Sequence, residues 1–128
     1  MSDQDRASFV EQMREQEFSR SQVAVTADDY TKSVLILAKV AQGDTSGSRA
    51  AAQVLLSLYD GSNWNMNLTD LCVLDFGLFA QALIAIRGRV TVFEEPHNVI
   101  ENGSQIFANL EKQWQHLHTS KRYNETGN

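Results

Sequence analysis

A compact, single-domain, all-α bundle of four to six helices is the architecture expected from this sequence. Proline occurs once in 128 residues, at Pro96, so helices can run without interruption. Apolar residues recur at the helical period in several separate stretches. A hydrophobic content of 42% beside 21% charged residues supports a real core in a chain of single-domain size.

The elements follow in chain order. Residues 1–25 form an acidic N-terminal segment with a short stripe, Phe9 and Met13 beside Val10. It reads as a mobile arm or as a docking helix. The core domain is assigned to residues 26–118. Within it, Tyr30, Val34, Leu37, Ala38 and Ala41 mark one helical face, capped by Thr26 or Asp28. Ala51, Val54, Leu55, Leu58 and Tyr59 mark the next helix, from about residue 48, which Asp60-Gly61 ends. After the polar loop DGSNWNMN, Asn67 or Thr69 opens a short turn around LTDLCVL. Asp75 caps a helix whose buried face is expected to carry Phe76, Phe79, Leu83 and Ile86. Ile106, Leu110, Trp114 and Leu117 give the last helix, capped by Ser104. Residues 119–128, TSKRYNETGN, read as a frayed tail. Two β-branched stretches, 23–26 (VAVT) and 89–93 (RVTVF), stay open. They form a minor two-strand β contact, or a helix continues past Gly88.

The turn AQGDTSGSR, residues 41–49, has the glycines and hydroxyls of a phosphate loop. A Walker loop, however, follows a strand and carries a lysine after its last glycine. Here a helix precedes, no lysine follows Gly47, and Asp44 would repel an anion. The stretch is expected to be a helix–helix turn. Gly43 takes the left-handed position that ends the first helix. Asp44, Ser46 or Ser48 caps the second. Arg49 sits in a first turn, where the helix dipole disfavours a cation. It is therefore expected to pair with Asp44, Asp60 or Asp70.

The same region carries a resemblance. VLILAKVAQGDTSGSRAAAQVLLSLYDG, followed by MNLTDLCVLD, resembles an uncharacterised helical domain family of proteobacterial integrative and conjugative elements and related islands. The matching residues are Gly43-Asp44-Thr45, Ser48-Arg49, Leu55-Leu56 and Leu68-Thr69-Asp70-Leu71, within residues 34–114. The chain departs from the pattern at NWNMN and at RVTVFEEP. The resemblance implies a bacterial accessory gene on a mobile element. It brings no catalytic residue, because the family has no established activity.

Chemistry finds little purchase. A net charge of −5, with no cationic cluster beyond the pairs Arg87/Arg89 and Lys121/Arg122, disfavours direct nucleic-acid binding. His97, His116 and His118 with one cysteine do not make a zinc set. Cys72 lies between apolar neighbours and is expected to fill core space in a reducing compartment. The N-terminus lacks the pattern of a secretory signal. No apolar run approaches the ~18 residues of a membrane span. The expected compartment is the cytoplasm, with no cofactor and no enzymatic activity.

What packing leaves unexplained is the loop. Trp64 and Met66 alternate with Asn63 and Asn65, and tryptophan is prominent in interface hot spots. The competing reading folds Trp64 back as a core plug. With the acids Asp3, Asp5, Glu11 and Glu15, this loop is the expected partner-binding set. The expected function is a non-enzymatic, protein-binding accessory protein that inhibits or modulates a host complex, of the anti-defence or anti-CRISPR kind. The alternative is a structural or assembly subunit, an obligate dimer that buries the loop.

Overall fold

The computed structural model describes the backbone of residues 2–126 and the side chains of residues 2–122. Six α-helices lie among the described residues: α1 (Asp3–Val23), α2 (Ala27–Ala41), α3 (Ser46–Tyr59), α4 (Phe76–Thr91), α5 (Gly103–Gln113) and α6 (Thr119–Thr126). Short 3-10 turns at Leu68–Val73, Pro96–Asn98 and Gln115–Leu117 join them. No strand occurs among the described residues, so the minor β contact expected at 23–26 and 89–93 does not form. Val23 closes α1, and Thr26 caps α2 by accepting from the Asp29 amide at 3.0 Å. Residues 89–91 continue α4, because Gly88 lies against the Tyr30 ring and holds that turn on the core.

The core is built on α2, α3 and α4. From α2 come Tyr30, Val34, Leu37, Ala38 and Ala41. The contiguous run Ala50–Leu56 of α3 is buried. Such a helix, wrapped on most sides, is the central element of a small bundle. α2 and α4 run antiparallel. Tyr30 meets Gly88, while Ser33 donates to Gln81 Oε1 at 2.8 Å further along. A Cβ on Gly88 would collide with the Tyr30 ring, so this crossing requires glycine.

α4 overturns the expected buried face. Its buried residues are Ala82, Ala85, Gly88 and Thr91. Phe76 and Leu83 are exposed instead, and Phe79 and Ile86 are half-buried. The helix is apolar on most sides, so periodicity alone does not choose its inner face. The small residues let α4 approach α2 closely, and the bulky ones are turned outward.

Helix ends are closed from a distance. Trp114 Nε1 donates to the Ala41 carbonyl at 2.9 Å, and Gln113 Nε2 to those of Gln42 and Gly43 at 3.2 and 2.8 Å. These are the carbonyls that the end of α2 leaves without helical partners. Arg89 Nε serves α3 in the same way, at Leu58. Gly43 is not left-handed, contrary to expectation, since no glycine among the described residues has positive φ. It is there for space: a Cβ would stand 2.6 Å from Ser48 Oγ. Asn102 does take the left-handed conformation, φ 57°, and opens α5 at Gly103, one residue before the expected cap Ser104. The last apolar stripe does not stay on one helix. α5 ends at Gln113, just before Trp114, and α6 follows the turn. The expected frayed tail is helical over Thr119–Thr126, and its last two residues lie outside those described.

Candidate functional site

The NWNMN loop is tied to the body. Trp64 is 4% exposed and packs edge-on against His118, with ring centroids 5.2 Å apart. Met66 is half-buried against the core. Asn63 and Asn65 are exposed, and their carbonyls accept from the Thr119 amide at 2.9 Å and from Arg122 at 2.8 Å. The Asn63 amide group donates to Asp60 at 2.8 Å. Trp64 is thus packed inward as the core plug rather than standing out from the loop. The start of α6 covers it, a role hidden in a sequence that reads as a tail.

Arg49 does not find the expected partner in Asp44, Asp60 or Asp70. Arg49 is exposed and makes no ion pair among the described residues. Asp44 is exposed, and the cap of α3 is Thr45, whose hydroxyl accepts from the Ser48 amide at 3.0 Å. Solvent stabilises the Arg49 guanidinium well enough that the first turn tolerates it. Asp70 has other work. Its Oδ2 accepts from Gln53 Nε2 at 3.2 Å and from the Asn67 amide at 3.3 Å, fastening the 3-10 turn to α3.

That turn and the start of α4 make the surface that sequence reasoning missed. Leu68, Leu71, Cys72, Leu74, Phe76 and Phe79 line an open apolar groove of about 470 Å³. Phe76 is 92% exposed and Leu68 79%. Cys72, expected inside, is exposed. In a 3-10 turn residues three apart share a face. Leu71 and Leu74 turn toward the core, and Cys72 and Val73 turn away from it. Asp75 fixes the corner by accepting from the Leu78 amide at 2.7 Å, which points Phe76 outward at the first position of α4. Exposed apolar side chains gathered at one place mark interaction sites more often than scattered ones.

The acids Asp3, Asp5, Glu11 and Glu15 lie on α1. It is a 21-residue helix with no buried residue, capped by Ser2, whose hydroxyl accepts from the Asp5 amide at 3.1 Å. Its side chains touch the body near its end. Arg20 donates to the Thr91 carbonyl at 3.1 Å, and Arg87 Nε to the Val23 carbonyl at 2.7 Å. α1 is thus helical and joined to the body at its end, with most of its length exposed.

No group of three or more His, Cys, Asp or Glu side chains is placed to hold a metal ion among the described residues. Among those residues, no helix is long and apolar enough to cross a membrane. Neither the curated proteins nor the solved structures hold a match to the chain. A family of unknown function, DUF7673, matches residues 31–115. The chain belongs to that family. The matched span runs from the second turn of α2 through α5, includes the apolar groove, and leaves α1 outside.

Proposed function

We propose that this DUF7673 protein is a non-enzymatic, protein-binding accessory protein of a bacterial mobile element. It acts as an inhibitor or modulator of a host complex, of the anti-defence kind. The mobile-element setting rests on the resemblance carried by the Gly43-Asp44-Thr45 turn and the Leu68-Thr69-Asp70-Leu71 segment. The observation that carries the binding reading is the groove around Phe76. A phenylalanine left 92% exposed beside a leucine 79% exposed contributes little to folding and much to association once covered. The fitting partner is an apolar segment on a basic surface. The excess of acids in the chain, net charge −5, steers such a partner by long-range attraction.

The test compares two surface substitutions in a capture experiment on host extract, with thermal unfolding of each variant. Phe76→Asp is expected to abolish capture of a partner that the unmodified protein retains, at an unchanged melting midpoint. Val90→Asp, on an exposed apolar residue of α4 outside the groove, is expected to retain it. Equal capture by both variants would overturn the groove as the binding site.

A further inference from the structure

We propose that the pocket between the NWNMN loop, α5 and the start of α6 binds a small carboxylate, held by the Trp64 indole N–H and the ammonium groups of Lys112 and Lys121. This is independent of the groove around Phe76.

The first support is a buried donor without an acceptor. Trp64 is 4% exposed, and its Nε1 is closed off from solvent with no hydrogen-bond partner among the described residues. Buried N–H groups nearly always find an acceptor. The other indole follows that pattern, since Trp114 Nε1 donates to the Ala41 carbonyl at 2.9 Å. Plugging the core needs only the rings of Trp64, which leaves its nitrogen unexplained.

The second support is the wall around it. Trp64 lines an open pocket of about 310 Å³ together with Lys112, Gln115, His118 and Lys121. It is the buried member of that set and therefore its floor. These residues come from the loop, α5, the turn after it and the start of α6, so the hollow is made by the fold rather than by one helix. Lys112 and Lys121 make no ion pair among the described residues. Both are exposed, as is Gln115, so the side chains at the mouth can turn toward a ligand. His118 Nδ1 accepts from the Ser120 amide at 3.1 Å, which places the ring proton on Nε2. Polar groups gathered in one hollow, with an unpartnered donor at its floor, mark a ligand site.

The charges choose the ligand. In a chain of net charge −5, this hollow carries two ammonium groups against one acid, Glu111. The single surplus charge suits a carboxylate, and Glu111 opposes the second charge of a phosphate. The volume is near the lower end for ligand pockets and admits a small acid.

The indole N–H signals in a proton–nitrogen correlation spectrum of the full chain test this. The chain has two tryptophans, and Trp64→Phe tells their signals apart. Acetate added at constant ionic strength is expected to shift the Trp64 signal to saturation, with a dissociation constant of about 1–10 mM. The Trp114 signal is expected to stay in place. Acetamide, of the same shape without the charge, is expected to leave both unmoved. Lys112→Ala with Lys121→Ala is expected to weaken acetate binding about tenfold, as for a lost charge-assisted hydrogen bond. Lys32→Ala, an exposed lysine at the far end of α2, is expected to change nothing. These lysines are exposed, so the variants keep the fold, and a melting scan of each checks that. A Trp64 signal indifferent to acetate up to about 50 mM, an equal response to acetamide, or a titration unchanged by loss of both lysines overturns the proposal. Tighter binding of inorganic phosphate than of acetate overturns the carboxylate assignment.

Discussion

α3 and α4 are both apolar helices, of 14 and 16 residues, and they spend that character differently. α3 buries its large residues, Val54, Leu55 and Leu56, together with three alanines. α4 buries Ala82, Ala85 and Gly88 and turns Phe76, Leu83 and Val90 outward. Apolar content decides that a helix will be buried. Shape decides which side. α3 sits among several neighbours and uses every side, whereas α4 must lie close to α2, and only its small face permits that. The displaced large residues are then available for another purpose, and the groove around Phe76 uses one of them.

Three measurements break or sharpen that contrast, in order of expected size. The largest concerns the small face. Gly88→Val puts a branched side chain into the Tyr30 ring and is expected to lower unfolding stability by about 3 kcal/mol, measured by chemical denaturation. A loss below ~0.5 kcal/mol, the size of an ordinary surface change, would mean that the close crossing does not govern α4.

The second reads the same contact through pH. Burial pushes the Tyr30 phenol up from 10.0 to about 12, Glu94 and Glu95 add to the rise, and Arg89 opposes it. The unfolded chain loses this proton near pH 10.0, while the folded chain holds it to about 12. The folded state thus binds more protons across that window, and stability falls as pH rises through it. The contribution is complete below the lower value and is lost by the upper one. Alkaline unfolding is expected to cost roughly 2 kcal/mol over this range. Tyr30→Phe is expected to flatten the slope, at the expense of the bond to the Glu94 carbonyl at 2.7 Å.

The smallest concerns the large face. Phe76→Ser is expected to change stability by less than about 0.5 kcal/mol, as for a surface site. A loss of a few kcal/mol would show that the ring is packed in solution, and α3 and α4 would then follow one rule.

The helices themselves were legible in the sequence because their signals are local. Thr26 and Asp75 are caps with a clear chemical reason, and the faces of α2 and α3 follow the helical period. The inner face of α4 was not legible, because a helix apolar on most sides offers several stripes, and the partner's shape chooses among them. Arg49 was assigned an ion pair on the strength of the helix dipole alone, a weak effect that exposure to water removes. Cys72 was placed inside by its neighbours, without the 3-10 geometry that turns it out. The groove therefore left one usable signal in the sequence, Leu68 and Phe76 set on either side of a turn fixed by Asp70 and Asp75. The plug reading of Trp64 was available, but its cover, His118 and the start of α6, sits in a stretch whose composition suggests fraying.

The bonds from Gln113 and Trp114 to the end of α2 also make one helix depend on a distant part of the chain. They join residues 70 to 73 positions apart. Without α5 and the turn that follows it, the last turn of α2 would leave those carbonyls to water. With α4 already packed on α2, the segment from the end of α4 to Gln113 is all that remains to be closed, at a cost of roughly 3 kcal/mol of chain entropy. One tryptophan thus both fills the end of the core and finishes the second helix.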